Sequence, residues 1–245
     1  MHVASDAQPL VILGGFLVRS EAYAPMATEL RRLTGARVEV VPATRGEWLG
    51  TSFASGWRRL LDRVDGLARR LAERSPTGRV SLVGHSSGGV MLRPYLAETP
   101  FVGRAWKGVA RCDRLVTLGS PHQAVRASPL RARVDRELPG CPLAERVDYV
   151  AVAGRFDVTS PRATRFGRRS AARNYRTLGG DARAEGDGLV PLSSALLRGA
   201  RTLVLDDTAH GGFIGEPWYG TPERVAAWWR RVCAHEGASA STAST

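Results

Sequence analysis

Six short apolar runs punctuate the chain: PLVILGG (9–15), RVEVV (37–41), RVSLVG (79–84), DRLVTLG (113–119), DYVAVAG (148–154) and RTLVLD (201–206). A strand with one wet face alternates polar and apolar residues. These runs are nearly continuous, which predicts strands covered on both faces. The stretches between them change period. Residues 53–74 carry Trp57, Leu60, Leu61, Val64, Leu67, Ala68 and Leu71 on one stripe with arginines opposite, the 3.6-residue spacing of an amphipathic helix. Helices are also predicted over 21–33, with Pro25 near the start where proline is tolerated, and over 87–97. A last helix opens at Thr221-Pro222 and runs through Val225, Trp228, Trp229 and Val232. Strands alternating with helices predict an α/β fold: about six mostly parallel strands, helices on both faces.

Two segments fall outside this alternation. Residues 121–147 are rich in Arg and Pro, and residues 155–186 carry Arg162, Arg165, Arg168, Arg169, Arg173 and Arg176. Long excursions from a compact domain read as lids or binding loops, although 121–147 lacks the aromatics of a large greasy lid. No internal repeat is present. The expected organisation is one domain over 1–235, followed by a low-complexity, flexible tail at 236–245.

Composition adds little to the fold and something to the partners. The 245 residues are 43% apolar, enough for a large core. The formal charge is +12, almost all of it arginine, with Lys107 the only lysine. The arginines are scattered and no nucleic-acid motif accompanies them, so nucleic acid is not expected. The run 162–176 suggests peripheral contact with an anionic membrane. Cys112, Cys141 and Cys233 form no C-x-x-C pair and read as small apolar residues. The start has no basic leader or cleavable apolar run, which points to the cytoplasm.

The chemistry concentrates in VSLVGHSSGGVMLRPYL (80–96). An apolar strand ends in Gly84-His85-Ser86-Ser87-Gly88 and a helix follows at once, the strand–turn–helix setting that a G-x-S-x-G elbow requires. Glycines two residues before and after Ser86 remove side chains that would strike the flanking strand and helix. Ser86 is therefore the candidate nucleophile. Its neighbour Ser87 would have His85 at the crowded position.

A serine hydroxyl needs a base. His2 and His235 lie at the chain ends. His85 adjoins the serine and is expected to point away from it. His122, in LGSPHQ, follows the fourth strand and suits holding a loop or lining a pocket. His210 follows the last strand and precedes the last helix, and chain order selects it as the base. The carboxylate should lie between serine and histidine. Asp187 in EGDGLVPLSSA, a glycine on each side, is preferred over Asp157, which directly follows the fifth strand. An Asp-Gly pair is also a common turn former. For the oxyanion hole, the backbone N–H groups of Ser87 and Phe16 are assigned, with Gly15 as alternative to Phe16. Gly15, His85, His122 and Phe213 are candidate substrate contacts. Trp48, Phe53, Ile214, Trp218 and Tyr219 could add pocket wall or simply pack the core.

Together LGGF, TGARVEVVP, LVGHSSGG, VTLGSPH, GDGLVP and DTAHGGFIGEPWYGTPE…WW resemble the lipase/esterase-like branch of the α/β-hydrolases, including its cyanobacterial and plant-type members, over most of residues 10–232. The resemblance implies Ser86 as nucleophile, Asp187 as acid and His210 as base, and ester hydrolysis through an acyl-enzyme with no cofactor. It implies a small-molecule ester or lipid substrate, leaving the acyl and alcohol groups open. One departure is Gly14-Gly15 where many lipases have His-Gly after the first strand. An acyltransferase or thioesterase would use the same triad, whereas a non-catalytic basic binding protein would be expected to have a broken one.

Overall fold

The computed structural model describes residues 7–124, 126 and 128–234. The tail 236–245, His2 and His235 lie outside them. Six parallel strands form one sheet in the order β2-β1-β3-β4-β5-β6: β1 (Leu10–Leu13), β2 (Val38–Val40), β3 (Val80–His85), β4 (Cys112–Leu118), β5 (Asp148–Gly154) and β6 (Arg201–Leu205). All six fall within a residue of the apolar runs. The continuity of those runs has a visible cause. Along β1, Val11 and Leu13 join a core on one face of the sheet, while Leu10 and Ile12 join the core on the other. Alternate side chains point to opposite faces, so a strand covered on both faces must be apolar at every position.

Helices α1 (Ala24–Thr34) and α8 (Pro222–Cys233) cover one face through Met26, Leu30, Val225 and Trp228. Helices α3 (Ala54–Ala72) and α4 (Ser87–Leu96) cover the other through Trp57, Leu60, Leu61, Val64, Val90 and Leu92. The stripe on α3 is the one its spacing predicts. Four further helices lie in stretches where the apolar pattern predicts none. Helix α2 (Arg45–Gly50) begins with a capping box in which Thr44 and Glu47 satisfy each other's backbone N–H groups. Helices α5 (Pro129–Glu137) and α6 (Arg165–Gly179) lie within the two excursions, and α7 (Leu192–Ala195) follows the second. No helix of the described residues is long and apolar enough to cross a membrane.

The strand order locates the site. After β1 the chain adds β2 on one side and then crosses to add β3 on the other side of β1. The loops leaving β1 and β3 therefore part company at neighbouring strand ends and leave a crevice there. Those loops are Gly14-Gly15-Phe16 and the elbow at Ser86.

Candidate active site

Ser86 has φ 53° and ψ −124°, a conformation that costs a non-glycine residue about 1–3 kcal/mol and persists only where the surroundings enforce it. They do so by close packing. A Cβ on Gly84 would lie 2.4 Å from Gly89 Cα at the start of α4, and one on Gly88 would lie 2.3 Å from the Leu13 carbonyl oxygen of β1. Strand β3 thus meets α4, and α4 meets β1, with no room for side chains at those two positions, and the serine is held at the tip of the turn.

The Ser86 side chain opens into a cavity of about 710 Å³. Gly15, Phe16, His85, Ser87, Phe213 and His210 line it as well. The sequence-predicted nucleophile and base therefore share one cavity at one sheet edge. Behind His210 lies Asp187, completely buried. Its Oδ2 accepts a hydrogen bond from His210 Nδ1 (2.9 Å) and another from the Tyr219 hydroxyl (2.9 Å). Its Oδ1 accepts from the N–H groups of Leu189 (3.0 Å) and Val190 (2.7 Å). Asp187 is thus both the turn former that its Asp-Gly setting suggests and the partner of the imidazole, one oxygen for each task. A carboxylate accepts only, so the His210 proton sits on Nδ1 and Nε2 keeps its lone pair. Asp157 lies elsewhere. It is exposed and accepts hydrogen bonds from Thr159 in its own loop, which holds its carboxyl below the ordinary value.

A second buried network fixes the loop after β1. The Gly15 N–H donates to the Tyr23 hydroxyl (2.7 Å), which lies 2.8 Å from His85 Nδ1. His85 Nε2 is 2.8 Å from the His210 carbonyl oxygen. A carbonyl can only accept, so Nε2 carries the proton, and neutral His85 takes the Tyr23 proton at Nδ1. This chain consumes the Gly15 N–H, which removes Gly15 as an oxyanion donor and leaves Phe16 as the candidate. Ser87 is the first residue of α4, so its N–H has no helical carbonyl to meet and is suited to the second donor.

The other sequence candidates divide. Phe213 borders the cavity with its ring edge-on to His210 at 6.2 Å. His122 is not among the lining residues. It is buried, with its backbone N–H on the Ser194 carbonyl and its ring on the Thr117 hydroxyl, so it holds the loop after β4 against α7. Trp48 and Ile214 are core, Phe53 is exposed away from the cavity, and Tyr219 supports Asp187. Sequence reasoning assigned no role to Tyr23 and none to Arg131, because neither lies in a recognisable motif.

His85 and His122 both have pKa values well below the ordinary one, chiefly because burial penalises the charged ring, with neighbouring His210 and Arg93 adding to it. Unfolding exposes rings that take protons near pH 6.5, so the unfolded state binds more protons below that pH. Stability is then full above about pH 6.5 and falls with acidification, by up to about 1.4 kcal/mol per pH unit for each ring. Glu47, held at about 2 by Arg63, loses its contribution only below its ordinary carboxylate range. Urea unfolding at pH 7.5 and 5.5 should therefore show a drop that His122→Asn reduces. A flat profile would mean that the rings protonate in the folded protein.

No protein-family model matches the chain, nor does any curated protein. Solved structures do match. An α/β-superfamily structure from Xanthomonas campestris pv. campestris has 18% identity and a TM-score of 0.51, covering 91% of this chain and 99% of its own. A pyrethroid hydrolase has 16% identity and a TM-score of 0.50, covering 94% and 99%. An α/β-hydrolase enzyme from the metagenome of lagoon sediments at Mar Chica, Morocco, has 14% identity and a TM-score of 0.51, covering 94% and 92%. The chain has the fold of the α/β-hydrolase superfamily.

Proposed function

We propose that this protein is a serine hydrolase that cleaves carboxylic esters through an acyl-enzyme on Ser86. A fold hosts many chemistries, so the weight rests on the site. The observation that carries the reading is a buried Asp187–His210 pair whose imidazole shares a cavity with a serine in a strained elbow. In the first half-reaction Ser86 Oγ bonds to the ester carbonyl carbon as its proton passes to His210 Nε2. The N–H groups of Ser87 and Phe16 would stabilise the oxyanion. His210 returns the proton to the departing alkoxide. Water, deprotonated by the same imidazole, then releases the acid and restores Ser86. Asp187 holds the tautomer and stabilises the imidazolium.

A fluorophosphonate should label the peptide containing Ser86, and 4-nitrophenyl esters should yield free acid. Transfer of the acyl group to an added alcohol or thiol in preference to water would indicate an acyltransferase instead. No labelling and no turnover would overturn the reading. Contact with an anionic membrane is a proposal supported by Arg165, Arg168, Arg169, Arg173 and Arg176. All five are exposed on α6, and none has a salt bridge among the described residues. Faster, salt-sensitive hydrolysis of esters in anionic than in zwitterionic vesicles would support that contact, and equal rates would remove it.

A further inference from the structure

Among the described residues Arg131 is a cation without a counterion at the candidate oxyanion hole. It lies in α5, borders the cavity and is half-buried, and burial works against its charge. Its Nη2 donates to the Ser87 hydroxyl at 2.5 Å, and its guanidinium lies 5.8 Å from the centre of the Phe16 ring. It thus touches the side chains of both residues whose N–H groups are assigned to the oxyanion. Among the described residues it has no carboxylate partner. Its neighbours on the same helix differ: Arg133 pairs with Glu137 at 2.7 Å and Arg136 approaches Glu137 at 3.9 Å. Arg19 and Arg45 stand exposed at the cavity border and, among the described residues, also have no salt bridges, against one bordering carboxylate, the exposed Glu21. The rest of the lining is mostly apolar.

A partly desolvated guanidinium with unspent N–H donors is suited to a planar carboxylate, which it can bind through two parallel hydrogen bonds. An ester whose carbonyl oxygen lies between the Ser87 and Phe16 N–H groups would lie beside this cation. We propose that Arg131 selects substrates whose acyl chain ends in a carboxylate, that is, half-esters of short dicarboxylic acids. The apolar lining would hold the methylene chain and Arg131 its end. This inference rests on the serine-hydrolase reading of the same cavity. Water cleaves the ester bond as before, giving the alcohol and a dicarboxylate. The acyl-chain carboxylate stays on the enzyme through both half-reactions.

The test compares the 4-nitrophenyl half-esters of succinic, glutaric and adipic acids with the same compounds capped as methyl esters. For at least one chain length the free carboxylate should raise kcat/KM about tenfold or more, the scale of a hydrogen bond to a charged group. That preference should shrink with added salt. Arg131→Met should bring the ratio between the paired esters to about one, and Arg131→Lys should keep part of it. If the Met variant does not fold, the Lys variant and the salt dependence decide. No preference in the parent, or an equal loss on both esters in the variants, would overturn the proposal while leaving the serine-hydrolase reading intact. Failure to turn over either ester, with no fluorophosphonate labelling, would instead bring down the reading beneath it.

Discussion

Ser86→Ala should lower ester turnover by about four to six orders of magnitude while leaving the protein folded. On the proposed mechanism Ser86 forms the covalent bond to the acyl carbon, and the neighbouring hydroxyls of the described residues are otherwise engaged. Ser87 Oγ is engaged by the Arg131 guanidinium, and Ser120 is buried with its hydroxyl directed to the Gly84 carbonyl. The Asp187–His210 pair does not involve Ser86, so the rest of the site should persist. The unfolding midpoint and far-UV spectrum should stay near the parent's. Residual turnover within about tenfold of the parent, on protein freed of contaminating esterase, would take Ser86 out of the mechanism.

Asp187→Asn should cost about 10⁴-fold in kcat, equivalent to about 5 kcal/mol of barrier. The size follows from the hydrogen-bond pattern. Oδ1 serves the turn at Leu189 and Val190, and Oδ2 receives His210 Nδ1–H and the Tyr219 O–H. An amide whose oxygen keeps the turn presents its NH₂ to His210. Two donors then face each other unless the imidazole moves its proton to Nε2, and that leaves no base for Ser86. Flipping the amide restores the imidazole and strips the turn of its acceptor. Tyr219 can rotate its hydroxyl to accept, but the ring has no such freedom. Asp157→Asn is the control, since that carboxylate serves its own exposed loop. Full activity in Asp187→Asn, or a larger loss in Asp157→Asn than in Asp187→Asn, would reassign the acid.

The sequence by itself determined the strands, four of the main helices and the elbow. Each rests on relations between residues close along the chain: apolar continuity for a doubly covered strand, a 3.6-residue stripe for α3, and glycines flanking Ser86 where backbones nearly touch. Chain order singled out His210 and favoured Asp187, because a parallel sheet delivers the ends of successive strands to one edge.

Tertiary structure decided what depends on distant residues meeting. Only packing shows that Tyr23 takes the Gly15 N–H and so points to Phe16, that Tyr219 shares the Asp187 carboxylate, and that His122 faces Thr117 rather than the cavity. Only packing brings Arg131 of α5 to Ser87 with no carboxylate partner among the described residues. Such hydrogen-bond partners leave no period or motif in the chain, whether a few residues apart, as Gly15–Tyr23 and Thr117–His122, or tens apart, as Asp187–Tyr219 and Ser87–Arg131. Their identity follows from the orientation of side chains within a finished core, and that orientation is set by the whole sheet and its helices together.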